Sequence, residues 1–430
     1  MQLPPMNSII GILTNFMIYW TFHPSYRQQM YDAGTALYTA LEQDVFQPGF
    51  NYPVGYNMTI QEQVEFHGYN FEEHKIQTED GYILTAFRVP SKKGEKIGNQ
   101  KTPIFMQHGL IDDGGTWFYN NETLDLSLEL VDLGYDIWVT NSRGTVYSNE
   151  HVNLTVNDKE YWDFTYHEMG KYDVPANLKY IFNVTGANQV VYFGHSQGTT
   201  QWFIANALNP EISQYFKAFI GIAPVAHVTN EKSVMVKTLD LLEIPDLAYE
   251  YLWDLGYIPA VSTYAAPFLH YFPRFVWNFI ETVVGFDKTY HIDLGSLPMM
   301  GRNDVGGTST KDLLHWTQNI RSGNFAEFDY GSDMNKQVYN SSYPPNYNID
   351  QFKTTLAHVE VLLFCGQNDA LVAPDDLKIL QNALPVNTQT ISVEDYNHLD
   401  YMWAADVNEK VNKYVIDFLT HLQTKKPIME

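Results

Sequence analysis

The sequence predicts an α/β fold: a mostly parallel central sheet flanked by helices, with a helical cap or lid inserted into it. Three observations predict this. Short apolar runs alternate with helix-spaced stretches through the first half of the chain and again near its end, as parallel strands joined by crossover helices do. Over 225–320 that alternation stops, and aromatic residues recur every three or four positions instead. Finally, Gly194-His195-Ser196-Gln197-Gly198 stands between the apolar run Val190-Val191-Tyr192-Phe193 and a helix-prone stretch beginning at Thr199. Two glycines there allow a turn so sharp that a serine oxygen stands exposed above a sheet.

In chain order, 72–90 reads as a hairpin, with His74-Lys75-Ile76 and Tyr82-Ile83-Leu84 strand-like and Thr78-Glu79-Asp80-Gly81 the turn between them. A Lys- and Gly-rich loop over 91–102 leads to the buried strand Pro103-Ile104-Phe105-Met106-Gln107, which runs into His108-Gly109. Asp136-Ile137-Trp138-Val139-Thr140 repeats the pattern before Asn141-Ser142-Arg143-Gly144, and helical stretches at 123–133 and 172–182 follow the two strands. Phe219-Ile220-Gly221-Ile222-Ala223 is the next strand, ending at Pro224. In the insertion Phe268, Phe272, Phe275, Val276, Phe279 and Val283 keep helical spacing, with Pro273 dividing the run. A plain helical subdomain fits this; a lid over an apolar cleft is the sharper reading. Strand signals resume at 359–364 and at Thr390-Ile391-Ser392-Val393, and a closing helix spans 407–422. The expected organisation is an N-terminal segment over 1–60, the core over 61–224, the cap over 225–320 and the rest of the core over 321–430.

The 430 residues carry 26 basic and 50 acidic side chains, a formal charge of -24, which argues against a nucleic-acid or anionic-membrane partner and leaves neutral lipids and small molecules open. Aromatic residues make up 15%, enough for a large core or an apolar binding surface. The single cysteine, Cys365, lies in an apolar run and reads as a buried, inert thiol. An apolar stretch over 9–22 is short for a membrane span, which needs about 20 residues. It predicts a signal-peptide core and entry to the secretory pathway, with a membrane tether as the alternative. No other membrane span is expected. Sequons at Asn57, Asn121, Asn153, Asn183 and Asn340 are compatible with that route.

A G-x-S-x-G between strand and helix is the nucleophile elbow of the α/β-hydrolases, an ordinary glycine turn being the other reading. A serine hydroxyl is a poor nucleophile at neutral pH and needs an imidazole base oriented by a carboxylate, in the chain order Ser, Asp or Glu, His. Ser196 is the predicted nucleophile, Asp369 in Gly366-Gln367-Asn368-Asp369 the acid, and His398 in Tyr396-Asn397-His398-Leu399-Asp400 the base. Asp375 and Asp376 are rivals that read instead as a helix start after Pro374. His195 is expected to pack beneath the turn, and His108 to shape its loop through backbone hydrogen bonds. The oxyanion donors are expected to be the main-chain N–H groups of Leu110 and Gln197. No H-E-x-x-H, cysteine pair or Walker-type loop is present, so a hydrolase without cofactor or metal is the simplest reading.

Taken together these residues resemble the acid lipases, the group that includes gastric and lysosomal acid lipases. The likeness is carried by Thr78-Glu79-Asp80-Gly81-Tyr82-Ile83-Leu84, Gln107-His108-Gly109-Leu110, Asn141-Ser142-Arg143-Gly144, Glu168-Met169-Gly170-Lys171-Tyr172-Asp173, the elbow, His315-Trp316-Thr317-Gln318 and Tyr396-Asn397-His398-Leu399-Asp400. It implies an α/β-hydrolase with a helical cap that cleaves triacylglycerols or sterol esters at a lipid–water interface. The same resemblance puts the nucleophile, acid and base on Ser196, Asp369 and His398 and the oxyanion donors on Leu110 and Gln197. The cap matches less well, and it lacks the cysteine pair of the family's vertebrate members. Two other readings are a carboxylesterase or thioesterase of soluble acyl substrates and a non-catalytic lipid-binding protein.

Overall fold

A computed structural model describes residues 6–46, 55, 58–96, 101–118, 125–251, 257–258, 270–287, 291–303 and 306–424. Within them eleven strands form in chain order: β1 (Glu72–Gln77), β2 (Tyr82–Val89), β3 (Pro103–Gln107), β4 (Asp136–Thr140), β5 (Glu150–His151), β6 (Val190–His195), β7 (Phe216–Ile222), β8 (Tyr257–Ile258), β9 (Thr308–Ser309), β10 (Glu360–Gly366) and β11 (Gln389–Val393). Nine of these make one sheet in the order β1-β2-β4-β3-β6-β7-β10-β11, with β5 beside β2. The hairpin β1–β2 and the pairs of β2 with β4 and β5 are antiparallel, whereas β4, β3, β6, β7, β10 and β11 run parallel to one another.

Alternating residues of each strand enter different cores, because successive side chains point to opposite faces. Ile104, Met106, Ile137, Val139, Val191, Phe193, Ile220 and Leu362 pack with the helices Leu126–Asp132 and Lys413–Thr424. Phe105, Trp138, Tyr192, Phe219 and Leu363 face the other way, against Val174–Thr185 and Gln197–Leu208, where Trp202 stacks on Phe219 with ring centroids 4.0 Å apart. Both faces are therefore covered, which is why β3, β4 and β6 read as continuous apolar runs. Cys365 belongs to this second core, and burial pushes its thiol up.

The helix expected over 172–182 occupies Val174–Thr185, after a π turn, Met169–Asp173. The wider turn carries Asp173 inward, where it binds the fully buried Arg143 guanidinium at 2.6 Å. Similarly, the closing helix is a π turn, Asn408–Asn412, continued as Lys413–Thr424. The stretch expected as the cap contains helices Val234–Leu241, Ile244–Tyr251, Pro273–Val284, Leu297–Asn303 and Thr310–Ser322, and also the short ladder β8–β9. As expected, the run is divided at Pro273: His270 and Tyr271 are helical, Phe272 is not, and Pro273 opens the next helix, where its ring is tolerated because no intrahelical N–H bond is needed; Phe268 lies outside the described residues.

The N-terminal segment forms two helices, Met6–Phe22 and Pro24–Phe46. Buried Tyr26, Ala33, Ala40 and Asp44 recur along one face of the second. Tyr26 Oη bonds Thr238 Oγ1 at 2.7 Å, and the Asp44 carboxylate accepts from the N–H groups of Arg274 and Phe275 at 3.3 and 2.8 Å. Asp44 thus caps helix Pro273–Val284, whose own N-cap, Phe272, makes no side-chain cap. Among the described residues no helix is long and apolar enough to cross a membrane. Asn153, Asn183 and Asn340 are exposed, while Asn57 and Asn121 lie outside the described residues.

Candidate active site

The site is assembled at the carboxyl ends of the parallel strands, where open α/β sheets bind ligands. After β6 the backbone turns at Ser196, with φ 51° and ψ −122°, and helix Gln197–Leu208 begins at once. A Cβ on Gly198 would lie 2.4 Å from the carbonyl oxygen of Gln107, and one on Gly194 would lie 2.8 Å from the backbone nitrogen of Thr199. Only glycine fits at either position, and the turn is clamped: Ser196 N–H donates to Ile222 O at 3.0 Å, and Thr199 Oγ1 donates to Ser196 O at 2.6 Å.

Asp369 lies just past β10 and His398 just past β11. The imidazole bridges the other two groups, with Nδ1 2.8 Å from Asp369 Oδ2 and Nε2 2.7 Å from Ser196 Oγ. Asp369 Oδ1 accepts the N–H groups of Leu371 and Val372, both at 2.9 Å, so the carboxylate is fixed in place. With Nδ1–H donating to that carboxylate, Nε2 is left to accept the serine proton. His398 and Asp369 are buried. The rival carboxylates are elsewhere: Asp376 accepts the backbone and side-chain N–H groups of Asn230 at 2.8 Å each, and exposed Asp375 meets Lys378.

His195 lies beneath the turn, its Nε2 3.0 Å from the carbonyl oxygen of His398; burial, then the adjacent His398, push it down to about 4. His108 Nε2 accepts Ser142 N–H at 2.9 Å, and Nδ1 donates to Gly109 O at 2.8 Å. Leu110 and Gly109 line a cavity of about 290 Å³ together with Ser196 and His398. Its remaining wall is largely apolar, including Val225, Val228, Val236, Val283 and Trp316, and two carboxyl residues, Asp112 and Glu231, interrupt it. Val236 and Val283 belong to helices Val234–Leu241 and Pro273–Val284, within the stretch expected as the cap. Among the described residues no group of three or more His, Cys, Asp or Glu side chains is placed to hold a metal ion.

Three supports of the site have no spacing signal. Gln107 and Gln201 both donate to Ser142 Oγ, at 2.9 and 3.0 Å, tying the loops after β3 and β4 to the helix behind the elbow. Trp316 Nε1 donates to Gln197 Oε1 at 2.7 Å, so helix Thr310–Ser322 braces the residue after the serine. The His398 turn is held by Asn397, whose Nδ2 donates to Asp287 at 2.8 Å and whose backbone N–H donates to Asp400 at 2.7 Å. Burial pushes Asp287 and Asp400 well up; the Asp287 charge raises Asp400 further, while the hydrogen bond with Asp400 works the other way on Asp287. Apart from Asn397 and Asp400, these partners are far apart in sequence, so no local pattern marks them.

Comparison with known proteins agrees with this architecture. Residues 60–121 match the family described as "Partial alpha/beta-hydrolase lipase region" and residues 102–405 the "alpha/beta hydrolase fold". Human (Homo sapiens) lysosomal acid lipase/cholesteryl ester hydrolase is 33% identical over 373 residues, covering 85% of this chain and 92% of the relative. Human gastric triacylglycerol lipase is 33% identical over 374 residues, covering 84% and 91%. Lipase member K of Mus musculus is 34% identical over 369 residues, covering 83% and 89%. With that identity sustained over more than four-fifths of both chains, on an α/β-hydrolase sheet, the protein belongs to the acid lipase family and is a carboxylic ester hydrolase.

Proposed function

We propose that the protein hydrolyses esters of neutral lipids, triacylglycerols or sterol esters, through an acyl-enzyme on Ser196. His398 takes the serine proton as Oγ attacks the ester carbonyl, then returns it to the departing alcohol; water activated by the same imidazole releases the fatty acid. Asp369 keeps the imidazole in the tautomer that leaves Nε2 free to accept and stabilises the imidazolium. The main-chain N–H groups of Leu110 and Gln197 stabilise the oxyanion, each such donor typically contributing about 10² to 10³ in rate. The observation that carries this reading is the hydrogen-bonded series Ser196–His398–Asp369 at one end of a cavity with a largely apolar wall. The names of the relatives support neutral lipid as the substrate and passage through the secretory pathway as the route, secreted or lysosomal.

The test is hydrolysis of emulsified long-chain triacylglycerol and sterol ester by the wild type and by Ser196→Ala. Activity on either lipid that disappears in the variant supports the reading. Serine-dependent cleavage confined to short soluble esters replaces it with a carboxylesterase, and inactivity toward all esters sinks it.

A further inference from the structure

Glu231 lies between β7 and helix Val234–Leu241, and its side chain forms part of the cavity wall. Its Oε2 accepts Ser233 N–H at 2.8 Å. The same wall includes Val228, Val236, Val283 and Ile320. The charges that act on it come from two packed helices: Lys237 and Asp240 on Val234–Leu241, and Asp376 on Pro374–Ala383. Each is engaged elsewhere: Lys237 over the Tyr19 ring, Asp240 with Arg321 at 2.6 Å, and Asp376 with Asn230. Asp112, His195 and His398 are the other titratable groups of the cavity, and Asp112 is bound by the N–H groups of Gly109 and Asp113. Among the described residues no cation forms an ion pair with Glu231.

We propose that Glu231 is a specificity residue for the acyl group: uncharged, it lies against a long chain as part of the wall, and ionised it refuses that chain while short acyl groups still react. This rests on the reading of the cavity as the acyl site. A carboxylate pressed against methylene groups loses its water without gaining a partner, so a long chain binds the protonated form. Burial, opposed mainly by the Ser233 N–H and Lys237, raises Glu231 to about 7. The protonated fraction, and with it long-chain affinity, then falls about tenfold between pH 6 and pH 8.

The experiment measures kcat/KM for p-nitrophenyl decanoate and butanoate at pH 6 and pH 8, with products quantified by chromatography, in the wild type, Glu231→Gln and Ser196→Ala. Taking the decanoate-to-butanoate ratio within one enzyme cancels the titration of the triad itself. The ratio should drop about tenfold from pH 6 to pH 8 in the wild type and stay within twofold in Glu231→Gln, where glutamine keeps the acceptor for Ser233. An equal ratio at both pH values in the wild type, or an equal drop in the variant, overturns the inference. Should Glu231→Gln misfold, Glu231→Leu is read by the same criterion. Butanoate cleavage that survives Ser196→Ala overturns the site reading along with it; a serine-dependent enzyme with a flat ratio overturns the Glu231 inference alone.

Discussion

Ser196 occupies a region of backbone space that side-chain-bearing residues seldom adopt, and the surrounding structure holds it there through Gly194, Gly198 and the hydroxyl of Thr199. At the far end of the hydrogen-bonded series from that strain, orientation takes over. Asp369 receives two backbone N–H groups on one oxygen and the imidazole on the other, so replacing it by asparagine preserves the backbone contacts and reverses only the last. An amide NH₂ facing Nδ1 forces the proton onto Nε2, which then cannot accept from Ser196. Asp369→Asn should therefore lower kcat by about 10⁴ with little change in KM or in melting temperature, on the scale of the same change in a serine protease triad. Steady-state kinetics beside a thermal melt check this; a melting temperature that collapses with activity would make Asp369 a stability residue instead.

Among the elements, helix Pro273–Val284 links the N-terminal segment to the cavity. Its first turn is capped and ion-paired by Asp44, from more than 200 residues away, with Arg274 Nη1 3.1 Å from Oδ1. Its last turn supplies Val283 to the cavity, and the carbonyl of Val284 accepts the N–H of Ala370, next to Asp369, at 3.0 Å. Asp44→Ala removes the cap and leaves Arg274 without this buried partner, which should cost on the order of 2–4 kcal/mol. Urea denaturation would read that loss, and hydrogen exchange should quicken in 273–284. Exchange there at the wild-type rate would show that the helix does not depend on its distant cap.

For the whole molecule, buried carboxyls decide how stability depends on pH. Glu231, Glu281 and Asp312 are raised to about 7, in each case chiefly by burial, and the facing pair Asp287 and Asp400 is pushed well up. Unfolded carboxyls titrate near about 4, so the native state retains protons that the unfolded chain has lost. This stabilisation is complete below the unfolded range and is lost as pH rises through about 7. Buried histidines act oppositely. His195, near 4, and His315, near 3, contribute stability that is complete above about 6.5 and lost as pH falls. From pH 6.5 to pH 8 the histidine contribution grows only slightly before levelling off, while the carboxyls lose their native protons, so the melting temperature should fall over that interval. A melting temperature that rises over that interval would mean these carboxyls are already ionised in the folded protein.

The sheet was legible in the sequence because a strand buried on both faces must be apolar throughout, and β3, β4 and β6 announce themselves by that alone. The elbow was legible for a steric reason: a strand that turns directly into a helix around a serine needs glycine on both sides. Asp369 and His398 could be picked from their loops because strand ends converge on one edge of a parallel sheet. What the chain's linear order conceals is whatever depends on residues meeting across the fold. Asp44 capping a helix at 273, Trp316 bracing Gln197, Asp287 facing Asp400 and Glu231 entering an apolar wall leave no periodicity behind. Hydrogen bonds and burial act between neighbours in space, so local patterns of hydrophobicity determine the elements, while tertiary packing alone decides which polar groups are brought together and how far their proton affinities move.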